Sequence, residues 1–267
     1  MTRIAFLGAG NMAAAMVEGL IVKNPASRPH IACMGGGGKS AALLAARTGI
    51  TLTSTLDALL VGADLVVIAF KPQHLAAADP RLADLTAGKL VVSVLAGKRL
   101  ATLSKRFPRA RNLVRTMPNT PAAIGAGITP FCALQPLSLS DRGLVENLLS
   151  ACGQHLEIVE EHMNGATALS GSGPAFVFEF AAALRDAGTA AGLPEPVATR
   201  LSVETLLGAA RLLSLRAVNP EILRNQVTSP NGTTFAGLQR LQAGAFRTLI
   251  RDTVLAAQAR AAELSQD

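Results

Sequence analysis

Residues 3–13, RIAFLGAGNMA, constrain the fold more than any other stretch of the chain. RIAFL has the length and apolar character of a buried strand. Gly8-Ala9-Gly10-Asn11-Met12-Ala13 follows it without a spacer, and NMAAAMVEGLIVK (11–23) carries helical periodicity. Strand, glycine turn and helix in that order form the setting in which a GxGxxG-type match reads as a dinucleotide grip. Gly8 permits the tight turn, and Gly10 leaves room for a pyrophosphate to approach the free N–H groups of the helix end. Ala13, in place of a third glycine, still lets helix and strand pack closely. Leu7, Gly8, Ala9, Gly10, Asn11, Met12 and Ala13 are therefore candidate cofactor-binding residues.

The alternation continues. HIACM (30–34) reads as a strand and KSAALLAART (39–48) as a helix. ADLVVIAF (63–70), KLVVSVL (89–95) and ARNLVRTM (110–117) read as further strands, with a helix expected after Pro72. Near-continuous Val/Ile/Leu strands separated by helices imply a mostly parallel sheet covered on both faces, a Rossmann-type α/β domain. Beyond about residue 160 the pattern changes. Residues 173–192, 196–217 and 246–266 carry helical periodicity with no convincing strand between them. The expected division is a dinucleotide-binding α/β domain over 1–160 and an all-α domain over 161–267. These helices are apolar on more than one side, so a lone bundle would leave apolar surface wet. A helical dimer interface follows.

An NAD-binding sheet usually places Asp or Glu about 20 residues after the glycines, where it holds the ribose 2′-hydroxyl. Here no acidic residue occurs between Glu18 and Asp57, and the second strand delivers the chain into CMGGGGKS (33–40). The strict P-loop pattern fails, because Cys33 stands where its first glycine belongs. A 2′-phosphate would be repelled by a carboxylate but accepted by glycine N–H groups, the Ser40 hydroxyl and the Lys39 ammonium. Gly35, Gly36, Lys39 and Ser40 are thus candidate cofactor residues, with NADP(H) preferred and NAD(H) possible.

Composition excludes several other classes. The chain is 49% hydrophobic, yet its longest apolar runs are strand-sized and broken by Lys or Gly well short of ~20 residues. No membrane span is expected. The N-terminal apolar run stops at glycines rather than at a cleavage site, so a cytoplasmic location is expected. Cys33, Cys132 and Cys152 are an odd number at wide spacing, which fits buried reduced thiols and neither a disulfide framework nor a metal site. The net charge of +7 is densest over 97–115, where Phe107 is the only aromatic residue. With no Trp or Tyr to stack on bases, the charge suits an anionic cofactor and small substrate rather than nucleic acid. His30, His74, His155 and His162 are scattered singly, and none pairs with an Asp as a catalytic acid or base.

Six further motifs carry a resemblance: AFKP (69–72), LAGK (95–98), RTMPNTPAAIGAG (115–127), ALSGSGPAF (168–176), AGLP (191–194) and VTSPNGTTFAGLQRLQAGAFR (227–247). In order and spacing they resemble the Δ1-pyrroline-5-carboxylate reductase family over essentially the full length. The resemblance implies reduction of pyrroline-5-carboxylate to L-proline with NAD(P)H, by a Rossmann domain and a helical domain that interlocks with a second subunit. A homodimer, or a higher assembly of dimers, is implied. By similarity Ala69, Lys71, Pro72, Ala96 and Gly97 should line the cofactor at the carboxyl ends of the sheet, with Pro118 and Asn119 near the nicotinamide. The substrate should meet Ser170, Gly171, Ser172 and Gly173 on one side and Gly232, Thr233 and Thr234 on the other. Thr234 is the residue expected to act on it. Pro174 reads as a first-turn helix proline, so the loop before it would offer N–H groups to the substrate carboxylate. Thr233 and Thr234 could alternatively be N-caps.

The chain departs from the family pattern in places. SPNGTT stands where the family has SPGGTT, and Asn231 is among the residues that tolerate a left-handed turn. Phe176 stands for the usual Tyr, Asn164-Gly165-Ala166-Thr167 for DAVT, and Ala182 for a frequent Glu. Two rivals stay open. One is an NADP-dependent reductase of another cyclic imine or a hydroxy acid. The absence of lysine from Ala166 to Asp267 opposes the hydroxy acid, whose alcohol proton needs an acid or base. The other is a catalytically silent NADP-binding dimer, which would have no need of the SGSGP and GTT segments.

Overall fold

A computed structural model describes residues 2–266. β1 (Ile4–Leu7) turns into α1 (Asn11–Lys23), and a 3-10 turn at Pro25–His30 leads to β2 (Ile31–Met34), α2 (Ser40–Thr48), β3 (Thr51–Leu52), α3 (Leu56–Leu60) and β4 (Leu65–Ile68). A 3-10 turn at Pro72–His74 precedes α4 (Leu82–Leu85), β5 (Leu90–Ser93), α5 (Leu100–Arg106) and β6 (Asn112–Thr116). After another at Thr120–Ile124 come β7 (Gly127–Ala133), α6 (Leu139–Ser150) and β8 (Gly153–Glu157). The remainder is helical: a 3-10 turn at Glu160–His162, α7 (Met163–Ala166), a π-turn (Thr167–Gly171), α8 (Gly173–Ala190), α9 (Glu195–Arg216), α10 (Pro220–Gln226), α11 (Thr233–Ala243) and α12 (Phe246–Leu264). Among the described residues no helix is long and apolar enough to cross a membrane.

The strands form one sheet in the order β3-β2-β1-β4-β5-β6-β7-β8. Pairing is parallel from β3 to β6, antiparallel between β6 and β7, and parallel again between β7 and β8. Successive side chains on a strand point to opposite faces, so each central strand feeds two cores. Ile4, Phe6, Val67 and Val92 join Met16, Val17 and Leu20 of α1 and Val145 and Leu148 of α6. Ala5, Leu7, Val66, Ile68 and Val91 join Leu59 and Leu60 of α3 and Leu100 and Leu103 of α5. This double burial is why the strands read as unbroken apolar runs. The strand order reverses between β1 and β4, the position at whose carboxyl ends open α/β sheets form a crevice.

Three strands were not anticipated. β3 has two residues, β8 (GQHLE) is a polar edge, and β7 contains Pro130, which argues against a strand when met in sequence. Pro130 fits because its carbonyl still accepts from the Met117 N–H, at 2.9 Å, while proline has only the donor to lose. The helix expected after Pro72 is reduced to a 3-10 turn and the four residues of α4. Asp79 interrupts it by accepting from the Arg81 N–H at 2.9 Å, a turn that Pro80 then fixes.

The chain divides into two compact units, residues 1–172 with 257–267, and residues 173–256. This differs from the expected division at 160/161. Met163 and Ala168 are fully buried, and Met163 belongs to one of the sheet's two cores, so the segment up to Ser172 stays with the sheet. The end of α12 does the same. Ser265 is buried and its hydroxyl donates to Asn164 Oδ1 at 3.1 Å, while the Leu264 carbonyl lies where a Cβ on Gly97 would project. Residues 173–256 are all helix and turn, as expected.

Candidate active site

The glycine turn is built as its sequence requires. Gly8 has φ +107°, and a Cβ there would overlap the backbone of Ala69 and Phe70 at the end of β4. Its N–H donates to the Met34 carbonyl at 2.8 Å, and the Ala69 N–H donates to the Leu7 carbonyl at 2.7 Å. The ends of β1, β2 and β4 are thereby locked together around the turn. Gly10 is the N-cap of α1, carries no side-chain cap, and has open space where a Cβ would project. The first-turn N–H groups of α1 are therefore left for a ligand. Ala13 is fully buried in the same apolar cluster as Phe6, holding helix to strand, and Ala9 is buried beside it. Asn11 is exposed, and Met12 is partly buried, packed against the same core.

A cavity of about 620 Å³ opens beside this turn, at the carboxyl ends of β1, β2 and β4. It brings together Leu7, Gly8, Gly35 and Gly36 from the sequence-derived set, and adds Ser54, Thr55, Phe70 and His74. The added residues come from the β3–α3 and post-β4 turns. For Ser54 and Thr55 the signal, small residues just past a strand end, is visible only once β3 is known to exist, whereas Phe70 and His74 follow a strand already legible at 63–70. Lys39 and Ser40 lie outside the lining, at the start of α2, whose N-terminus has no side-chain cap. Lys39 is exposed; its carbonyl accepts from the Leu43 N–H at 2.9 Å, and its ammonium has no partner among the described residues. Of the sequence-derived residues after the later strands, Ala96 is exposed and Pro118 and Asn119 are buried.

Asn119 shows how the sheet reaches the SGSG segment. Its Oδ1 accepts from the Ile128 N–H at 3.0 Å, and its Nδ2 donates to the Ser170 carbonyl at 3.1 Å. Its amide is thus engaged on both sides, and it ties the turn after β6 to Ser170. Met117 faces Gly171, where an added Cβ would stand 3.0 Å from Met117 Cε. The expected loop before Pro174 is replaced by the π-turn, in which the Ser172 N–H donates to the Thr167 carbonyl at 2.9 Å. That donor is taken. Ser170 Oγ donates to the Ala166 carbonyl at 2.8 Å, whereas the Ser172 hydroxyl has no partner among the described residues. π-turns within helices recur at functional sites because they re-aim groups that a regular helix would bury in its own ladder.

Gly232, Thr233 and Thr234 belong to the second unit. Gly232 is the N-cap of α11, without a side-chain cap, so neither threonine is a cap as the alternative reading had it. Thr189, Thr199, Thr228 and Thr253 each donate to the carbonyl four residues earlier; Thr233 and Thr234 are exposed with unpartnered hydroxyls among the described residues. Asn231 has φ +58°, the left-handed turn expected of it.

The charged and sulfur groups sort into structure. Arg109 pairs with Asp84 at 2.8 Å, Arg111 with Asp141 at 2.7 Å and Arg115 with Glu160 at 3.0 Å, so part of the basic run is internally paired. Phe107 is core. All three cysteines are buried and free, and burial pushes the Cys132 thiol up to about 12 and the Cys152 thiol to about 11. Neither is a thiolate nucleophile at neutral pH.

Comparison with known proteins decides the family. Over 267 residues the chain is 39% identical to a pyrroline-5-carboxylate reductase of Pseudomonas aeruginosa, covering 99% of this chain and 97% of that protein. The chain belongs to the pyrroline-5-carboxylate reductase family. The family's dimerisation model matches residues 160–264, and a model described as NADP oxidoreductase, coenzyme F420-dependent, matches residues 3–97. An Arabidopsis thaliana pyrroline-5-carboxylate reductase is 35% identical over 265 residues, covering 99% of this chain and 96% of that one. A solved pyrroline-5-carboxylate reductase from Coxiella burnetii superposes with TM-score 0.94 at 32% identity, covering 100% and 99% of the two chains. One from Plasmodium falciparum with NADP bound superposes with TM-score 0.86 at 26% identity, covering 99% and 98%.

Proposed function

We propose that the chain reduces 1-pyrroline-5-carboxylate to proline with NADPH, as a homodimer in the cytoplasm. The observation that carries this reading is a full-length likeness to reductases of that name, in a chain whose glycine turn keeps an uncapped helix end open at the reversal of strand order. Buried free thiols suit a reducing compartment.

The residues present fit a dinucleotide. Gly8 and Gly10 leave no side chain between the cofactor and the first-turn N–H groups of α1, which would hold the pyrophosphate. Gly35, Gly36, Lys39 and Ser40 would receive the adenosine 2′-phosphate, and the turns carrying Ala69, Lys71, Pro72, Ala96 and Gly97 would flank the rest. Bound there, NADPH supplies a hydride to the C=N bond. The carbon attacked belongs to an iminium, whose positive charge disappears in the reaction, so the protein needs no oxyanion hole. Its task is to hold the ring and exclude water. Thr234 would bond the substrate nitrogen or carboxylate, with Thr233 and the Ser172 hydroxyl as further polar partners. Asn119 acts on the substrate side by fixing Ser170 rather than by offering a free amide.

The test is consumption of NADPH and formation of proline when 1-pyrroline-5-carboxylate is added to pure protein. A folded dimer without turnover would overturn the reading. Thr234→Ala should lower turnover at least tenfold (~1.4 kcal/mol), with a melting temperature within about 1 °C of the parent, since the hydroxyl caps nothing. Unchanged turnover would remove Thr234 from the chemistry.

A further inference from the structure

One carboxylate away from the cofactor cavity joins three segments that the proposed reaction uses. Glu160 Oε1 accepts from the Leu100 N–H at 2.7 Å and from Arg115 Nη1 at 3.0 Å. Leu100 opens α5, three residues after Gly97, and its helix has no side-chain cap from Arg99. Arg115 lies within β6, four residues before Asn119, opposite Ser93 on one side and Cys132 on the other. Glu160 opens the turn that runs through α7 and the π-turn to Ser170 and Ser172. The Arg115 side chain is 5% exposed and that of Glu160 21%.

A largely buried ion pair is a poor source of net stability, because desolvation cancels most of the attraction; what stands out in this pair is the set of segments it joins. Here the bonds join the start of α5, the end of β6 and the start of the segment bearing the serines. The same segment is held farther along by Asn119 at Ser170 and by Ser265 at Asn164. Without Glu160 its beginning would lose two charge-assisted hydrogen bonds at once.

We infer that Glu160 and Arg115 form a strut of positioning residues for the substrate segment, setting where Ser170 and Ser172 stand relative to the sheet. Neither touches substrate. The inference rests on the reductase reading above. Because a displacement of about 1 Å can cost on the order of a hundredfold in rate, the strut should govern turnover more than cofactor binding.

The test uses full-length Glu160→Gln, which keeps the side chain's size and an acceptor oxygen, Arg115→Met, and the double variant. In folded Glu160→Gln, kcat/KM for 1-pyrroline-5-carboxylate should fall about tenfold to a hundredfold, while the Kd for NADPH stays within about twofold. Amide hydrogen exchange over 167–172 should quicken without a matching change in β1 or α1. The double variant should be no worse than the poorer single, as expected of one unit. Should Arg115→Met fail to fold, Glu160→Gln decides alone. Kinetic constants within about twofold of the parent would overturn the strut, as would equal loosening of NADPH binding or faster exchange throughout the sheet. If the parent itself shows no turnover, the reductase reading falls, and the strut stands or falls on the exchange over 167–172.

Discussion

In the sheet unit, β1, β4 and β5 contain no residue more than 6% exposed, whereas α8, α10 and α11 of the second unit contain no buried residue and α9 only Ala198 and Ser202. The second unit is not correspondingly polar. Val177, Phe178, Leu201, Val203, Leu207 and Leu215 are each at least 48% exposed. A sheet with helices on both faces closes its own core from one chain. Helices apolar on several sides cannot, and their remaining partner is the second copy that the family's dimerisation region provides. One unit is thus specified within the chain and the other between chains.

The largest effect should come from breaking the intermolecular half. Phe178→Glu with Leu201→Glu alters two exposed apolar side chains per subunit, four per dimer. At ~1.5–3 kcal/mol for each buried side chain, the dimer should weaken by more than about a thousandfold. Sedimentation should then show monomer at concentrations where the parent is a dimer or larger, with NADPH binding retained in the sheet unit. A double variant that remains fully dimeric would place the interface on other faces of α8 and α9.

The sheet unit can be probed by two glycines two residues apart. Gly8→Ala forces a side chain onto φ +107° and into the backbone of Ala69 and Phe70, neither of which can rotate away. Strain and overlap together should cost about 3 kcal/mol, lowering the melting temperature by about 6–12 °C. Gly10→Ala meets open space, so its melting temperature should stay within about 2 °C of the parent, while the stabilisation on adding NADPH is largely lost. Thermal melts with and without NADPH separate the two. Equal losses from both substitutions would mean that Gly10 is structural as well.

What could be read from the residues follows the same division. Central strands announce themselves because burial on both faces demands unbroken Val/Ile/Leu, and Gly8 to Ala13 because a helix end that receives phosphate leaves room for few residue types. β7 was hidden by Pro130 and β8 by its polar edge, both tolerated only in the context of their neighbours. Residues 161–172 were expected with the helical half, and the family's dimerisation region begins at 160, yet packing puts Met163 in a sheet core, a long-range contact with no local signature. Asn119 illustrates the limit at the site. Its presence in RTMPNTP marks the place, but its bonds to Ile128 and Ser170 span 9 and 51 residues and have no local signature. Glu160 is still less legible, as one carboxylate in a Val-Glu-Glu-His run.

The smallest expected effect sharpens the sheet unit's claim on its cofactor. The Lys39 ammonium is without a partner among the described residues, on an exposed residue at the uncapped start of α2, and no acidic residue stands in that helix's first turn. An exposed ammonium in water gains little from a pair, about 1 kcal/mol at most, so Lys39→Ala should weaken NADPH binding only about fivefold. NADH has no 2′-phosphate and should bind the variant as it binds the parent. Because a screened charge is involved, the difference should shrink further as salt is raised past the Debye regime of physiological buffer. Titration of both cofactors at two ionic strengths measures this directly. Equal losses for NADPH and NADH would assign Lys39 to the fold of the glycine turn and leave the 2′-phosphate to Ser40 and the backbone of Gly35 and Gly36.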